Sequence, residues 1–395
     1  MADWLWCSWQ HFSHLLPYFS LVACPHRHKL QSMRKPIMAR LATDSENVSF
    51  LAYQPAFHKL LGPNPSARLL VESPEKLAFY HEACIYHHAT RSIFVTSNQI
   101  PSANENPHTS HKEVKLSRIY DDESASSGTV QFVHFKGIEA AMLNGGVNFG
   151  DDSLLLCAQG SRRPEDLSGL LSFSIPTDAN PSPEPQAVVS SFYGIPFNSV
   201  NDVVVDPRDG SIWFTDPHYG FYQDIRPKPQ LPNQVYRFDP KTKSIRAVAD
   251  GFTRPNGICF SPDFSKLYVT DTGAIHGSAS VPIDPAGPSH IYCFDIVRSE
   301  HTAEPHLVNK RLFAYAPGRF PDGIKCDTEG NVYSGCGDGI EVWNPDGVQL
   351  GTILIKGGVA NFCFGERGTI YACNETLFWK IKLNGEGVRG ALLGI

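Results

Sequence analysis

The chain is poor in several things, and each shortage removes a class of function. Lys and Arg number 34 against 40 Asp and Glu in 395 residues, a net charge of −6. No basic run stands out, so nucleic acid is not an expected partner. No stretch approaches the roughly 20 consecutive apolar residues that a membrane-spanning helix needs. The aromatic N-terminus, "MADWLWCSWQHFSHLLPYFSLVACPHRHK", has no basic residue ahead of its apolar part and carries Asp3, which makes it a poor signal peptide and too broken to span. Residues 1–48 are therefore expected to be an extension, poorly ordered or weakly packed, with Met33 and Met38 as possible later starts. Residues 49–395 are expected to form one folded domain.

Cysteine is present, but no two cysteines stand in a C-x-x-C pair. The ten are scattered, mostly inside apolar runs such as "NGICF" and "NFCFG", and read as buried free thiols rather than a zinc site. A cytoplasmic location and a monomer or weak dimer are the expectations. Secretion stays open through two sequons, Asn47-Val-Ser and Asn374-Glu-Thr. Long helical periodicity is missing too; only "GIEAAMLNG" (137–145) hints at a helical turn. Neither Ser191 nor Ser211 lies in a G-x-S-x-G context, and "GCGDGIEVWNPDG" lacks the lysine of a phosphate loop.

What the chain does have is a repeat. "HEACIYHHATRSIFVTSN", "NGGVNFGDDSLLLCAQG", "NDVVVDPRDGSIWFTDP", "NGICFSPDFSKLYVTDT", "DGIKCDTEGNVYSGCGDG" and "NFCFGERGTIYACN" share one plan. Each has an Asn, Asp or Glu, often followed by Gly, then a short apolar strand, a tight turn and a second strand. Further strand-like runs lie between the copies, among them "NQVYRFDP" and "HIYCFDIV". This spacing fits an all-β, six-bladed propeller of four-stranded blades, closed by an N-terminal strand such as "ARLLVES" (67–73) beside the last C-terminal strands. A pair of β-sandwiches is the alternative, but it does not explain why one residue type recurs at one point of each unit. Trp213, Trp343 and Trp379 lie on strands and are expected to fill space between blades.

In a propeller the first strand of every blade lines the central channel. Glu82, Asn144, Asn201, Asn256, Asp322 and Asn361 would then face one opening as a ring of oxygen-bearing side chains. Each copy taken singly is also explained by turn chemistry, since Asn and Asp before Gly suit tight turns. Taken together, two carboxylates and several amide oxygens converging on one point call for a hard divalent cation, calcium before magnesium.

The segments "HEACIYHHATRSIFVTSN", "NDVVVDPRDGSIWFTDPHYG", "RPNGICFSPDFSKLYVTDT" and "FPDGIKCDTEG" resemble the signature segments of the senescence marker protein/gluconolactonase family, calcium-dependent six-bladed propeller lactonases. The resemblance runs from about residue 55 to the C-terminus. It implies Glu82, Asn256 and Asp322 as metal ligands, with Asn201 touching metal or substrate. It also implies Asp322 as the base facing the attacking water, and aligns Gln159 with the family's residue before a Gly in blade two. Asn144, Gln159, Asn201, His218, Tyr219 and His276 are the substrate-contact candidates, the last three on loops after blade strands, with Asp216 beside His218. His81, turned away from Glu82 by strand alternation, reads as a core or interface residue. One departure is the Ala83-Cys84 pair after the glutamate, where the family often has Gly-Pro. The implied activity is opening of a sugar or secondary-metabolite lactone. The alternatives are a phosphotriester or another secondary-metabolism step on the same metal site, or a non-enzymatic interaction platform.

Overall fold

The computed structural model describes residues 39–43, 45–102, 106–121, 127–133, 141–163, 165–278, 280–385 and 388–394. Six antiparallel sheets, five of four strands and one of six, follow one another along the chain, beginning with inner strands Glu82–His87, Leu143–Asn148, Val203–Val205, Pro255–Phe260, Ile324–Cys326 and Phe362–Phe364. This is a six-bladed β-propeller. The inner and second strands are almost wholly buried, as in Pro255–Phe260 and Lys266–Asp271, because a blade's inner edge meets the channel and both its faces meet neighbouring blades. Outer strands are largely open to solvent, as in Thr129–Val133, where three of the five residues are exposed and none is buried.

The ring is closed as the sequence suggests: Ser66–Glu72 pairs antiparallel with Leu377–Lys382 and completes blade six. A second N-terminal addition was not foreseen. Val48–Ala52 pairs with Gln349–Ile355, and Ala39–Ala42 pairs in turn with Val48–Ala52, so blade five has six strands. Residues 39–42, assigned to the extension above, are therefore part of a blade. Between the two additions runs a short helix, α1 (Pro55–Leu61), which seats Phe57 in the core beside Gly351.

The packing residues fall where the pattern placed them. Trp213, Trp343 and Trp379 are buried, and the eight described cysteines are all buried and free. The suggested turn at 137–145 resolves differently: residues 137–140 lie outside the described residues, and Leu143–Asn148 is a strand. The sequon Asn374 is not a modification site in this fold. It is buried, its Nδ2 donates to the Gly358 carbonyl at 2.5 Å and its Oδ1 accepts from Trp379 Nε1 at 3.2 Å. No helix among the described residues is long and apolar enough to cross a membrane. Beyond the ring positions the channel turns apolar, with Ile85, Val147, Val204, Ile258 and Phe364 lining a cavity that the C-terminal residues Gly390–Leu393 also border.

Candidate active site

Five of the six ring residues are buried: Glu82, Asn201, Asn256, Asp322 and Asn361, with Asn144 half-buried. They sit where the inner strand's ladder opens. The pairing register shifts between Glu82 and Ile85, between Leu143 and Gly146, and between Pro255 and Ile258. In the other three blades the inner strand begins only after Asn201, Asp322 or Asn361. These bulges re-aim one side chain toward the axis and free its neighbours from ladder hydrogen bonds. In blade one the bulge is made by Ala83 and Cys84, both left-handed at φ 61° and 52°.

The glycine after the ring residue serves a purpose other than a turn. A Cβ on Gly145 would lie 2.5 Å from the Asn201 carbonyl oxygen, one on Gly257 2.3 Å from the Asp322 carbonyl oxygen, and one on Gly323 2.4 Å from Asn361 Oδ1. Asn-Gly and Asp-Gly recur because successive blades approach closely here, backbone to backbone at Gly145 and Gly257 and against the Asn361 side chain at Gly323. Threonines from the second strands tie the same junctions: Thr96 Oγ1 donates to the Asn144 carbonyl at 2.9 Å, Thr215 to Asn256 at 2.7 Å and Thr270 to Asp322 at 2.9 Å.

The aspartates ending "FTD" and "VTD" hold the lead-in to the ring. Asp216 accepts from the backbone N–H groups of Asn198 and Ser199 at 2.9 and 2.8 Å. Asp271 accepts from those of Thr253 and Arg254 at 2.9 and 2.8 Å. Asp216 is thus spent on backbone and does not line the pocket as the sequence suggested.

The electrostatics of the ring are those of a site short of positive charge. Burial, reinforced by the Glu82 charge, pushes Asp322 well above the usual carboxylate range. Burial also raises Glu82, with His81 opposing and Asp202 adding to it. No donor reaches Asp322 Oδ1, Asn201 Oδ1 or Gln159 Oε1, although all three atoms are buried. Such oxygens are normally paired, and a hard cation satisfies them without needing N–H donors. Among the described residues no cluster of three or more His, Cys, Asp or Glu side chains is poised for a metal, so a cation here would rely on amide oxygens beside the two carboxylates.

Of the remaining candidates, Tyr219 is buried with its hydroxyl 3.5 Å from Asn256 Nδ2. His218 has both ring nitrogens engaged, Nε2 with the Leu231 carbonyl at 2.8 Å and Nδ1 with Asn233 at 3.4 Å, which fixes it in the loop wall. His276 packs on Tyr222 with ring centroids 4.8 Å apart, and its Nδ1 is buried without a partner.

Sequence reasoning missed two neighbours of the ring, Asp202 and Lys325, and the partners of two residues it had named, Asn361 and His81. Asn361 spends its amide on Glu82, with Nδ2 2.7 Å from Oε2. Asp202, directly after Asn201, accepts from Val203 and Ile258 backbone N–H groups at 2.9 and 3.2 Å. Lys325 brings its Nζ within 3.4 Å of Asn361 Oδ1. His81 sits between blades one and six, where its Nδ1 meets Glu375 Oε1 at 2.7 Å.

Comparison with known proteins gives this geometry a lineage. The chain is 30% identical over 356 residues to the lactonohydrolase oryL of Aspergillus oryzae, covering 84% of this chain and 74% of the relative. It is 33% identical over 216 residues to the gluconolactonase of Zymomonas mobilis, 52% of this chain and 54% of that one. Among solved structures, a gluconolactonase from Xanthomonas campestris superposes with a TM-score of 0.65 at 25% identity, covering 89% of this chain and 99% of that one. The family model described as SMP-30/Gluconolactonase/LRE-like region matches residues 127–372, well over half of the sequence, and the chain belongs to that family.

Proposed function

We propose that the protein is a calcium-dependent lactonase, opening a cyclic ester by attack of water at the ring of oxygen-bearing side chains. The observation that carries this reading is the set of buried oxygens with no donor, on Asp322, Asn201 and Gln159, beside the buried carboxylate of Glu82. Relatives named lactonohydrolase and gluconolactonase support the reaction class. Glu82, Asn201, Asn256 and Asp322 are the residues that would hold the cation, and another divalent ion of similar hardness would fit the same donors. When bound, it would polarise the lactone carbonyl and stabilise negative charge on its oxygen.

The chain's own groups supply the rest. Asp322 is the proton acceptor for the attacking water, because it is a buried carboxylate with an oxygen free of hydrogen-bond donors. Asn144, Gln159, Tyr219 and His276 form the wall that orients the substrate, with His218 bracing the loop behind Tyr219. Burial of the ring limits competing water and strengthens every polar contact made there.

The test is a panel of sugar and aliphatic lactones assayed with and without a chelator. Ring opening should be lost on chelation, restored by calcium, and abolished in Asp322→Ala. Chelator-insensitive turnover would overturn the metal's role; calcium binding without turnover of any ester would overturn the reaction.

A further inference from the structure

Arg254 is an arginine in an unusual position. It immediately precedes the Pro255-Asn256-Gly257 corner of blade four and is only 4% exposed. A buried guanidinium is ordinarily matched by a carboxylate, as Arg237 is by Glu304 at 2.7 Å. Among the described residues no carboxylate lies within salt-bridge distance of Arg254: Asp271, the acid joined to its backbone N–H, is engaged by the main chain. The guanidinium makes one hydrogen bond, from Nη1 to the Gly273 carbonyl at 2.8 Å, and its Nε is buried with no acceptor.

Its surroundings belong to the channel mouth. The guanidinium carbon lies 4.7 Å from the centre of the Tyr222 ring. That ring also packs against His276, whose Nδ1 is a second buried nitrogen without a partner. Tyr222 ends the short helix α2 (Tyr219–Tyr222), whose first residue reaches Asn256 of the ring. The positive charge of Arg254 is felt at Tyr219, His218 and His276, in each case favouring the less positive form of the neighbour. Two orphan nitrogens, one permanently charged, thus flank a tyrosine at the edge of the proposed lactone site. An uncompensated buried charge of this kind destabilises a fold unless a ligand neutralises it.

We infer that Arg254, with His276 and Tyr222, forms a subsite for an anionic substituent of the substrate, so that the preferred lactone carries a carboxylate. A planar guanidinium with donors to spare suits a carboxylate, which can accept two parallel hydrogen bonds. This rests on the lactonase reading for the reaction and on Arg254 alone for the preference.

The test compares two probes of equal ring size, 5-oxotetrahydrofuran-2-carboxylate and its methyl ester, on the calcium-loaded protein. The quantity read is the ratio of kcat/KM for acid over ester, which does not depend on the fraction of active protein. The wild-type ratio should exceed about tenfold, of the size a charged hydrogen-bonded pair supplies. Arg254→Gln should bring it close to one, and Arg254→Lys should leave it intermediate. A wild-type ratio near one, or an Arg254→Gln variant that keeps the wild-type ratio, overturns the subsite. Should neither probe be hydrolysed, the lactonase reading is decided by the wider lactone panel, and the subsite by binding of the open dicarboxylate, 2-hydroxyglutarate. Calorimetric binding at least tenfold weaker in both Arg254 variants sustains the subsite, and equal or absent binding overturns it.

Discussion

Asn361 Nδ2 donates a 2.7 Å hydrogen bond to Glu82 Oε2, joining the last blade's ring residue to the first blade's. Asn361 Oδ1 in turn accepts from its own neighbour, the Phe362 backbone N–H, at 2.8 Å. The amide is therefore held by its oxygen and holds the carboxylate by its nitrogen. On the proposed calcium reading, Asn361 would thereby fix which Glu82 oxygen is left for the cation, a positioning role.

Asn361→Leu keeps the volume and removes that hold. Calcium affinity measured by titration calorimetry should fall about tenfold, near 1.4 kcal/mol. Asn361→Asp instead sets a carboxylate against Glu82; the metal-free protein should melt lower than wild type, and calcium should raise its Tm by more than it raises that of wild type. Unchanged affinity in the leucine variant would remove Asn361 from the site's construction.

Much of this architecture is legible in the sequence because it repeats. The fold, the closing strand and the ring positions follow from six copies of one short plan at a spacing suited to blades. What was not legible depends on partners distant in sequence. The ion pair of His81 was not foreseen because its partner, Glu375, lies 294 residues away in the last blade. The glycine after Asn144, Asn256 and Asp322 was read as turn chemistry, whereas its reason lies in close approach to the next blade, about 40 to 65 residues away in sequence. The partnerless state of Arg254 is invisible in sequence, since nothing in a linear chain tells which acid a distant arginine lacks.

Gly257→Ala tests the glycine argument. The new methyl would meet the Asp322 carbonyl oxygen at 2.3 Å, and neither backbone yields readily because Thr270 and Gly335 also bond at this junction. A loss of about 3 kcal/mol in denaturant unfolding is expected, with calcium affinity falling as Asp322 is displaced. Gly150→Ala is the matched control: its φ of 70° carries the left-handed penalty, but nothing lies within 4 Å of the added carbon. That variant should lose only about 1 kcal/mol.

Asp271→Ala removes the acceptor for two backbone N–H groups just ahead of Asn256. The Arg254 bond is buried and the Thr253 bond part-buried, so the fold should weaken by about 2–4 kcal/mol. Asp271→Asn keeps one carbonyl oxygen and should fall between the two. If Asp271 serves only the fold, calcium affinity will track wild type in the folded fraction. If it also sets the Asn256 corner, affinity will drop in Asp271→Asn even where the protein remains fully folded.

The His81–Glu375 pair makes stability depend on pH in a defined window. Burial works against the imidazolium, but the Glu375 carboxylate, its hydrogen bond to His81, and the charges of Glu82 and Asp322 outweigh it and push His81 up to about 9 from its ordinary 6.5. A group whose folded pKa is raised contributes its full stabilisation below the unfolded pKa and loses it as pH rises through the folded one. The metal-free protein should therefore lose stability between about pH 6.5 and 9, on the order of 2 kcal/mol for a side chain 22% exposed. Glu375→Gln keeps the hydrogen-bonding shape while deleting the carboxylate, so its stability at pH 6 should fall toward the wild-type value at pH 9 and its profile should flatten. Calcium should flatten the wild-type profile in part as well, because a cation beside Glu82 and Asp322 offsets the negative charge that helps hold the His81 proton. Urea melts at several pH values, with and without calcium, read all of these outcomes, and a flat profile in the metal-free wild-type protein would show that the pair carries no net proton linkage.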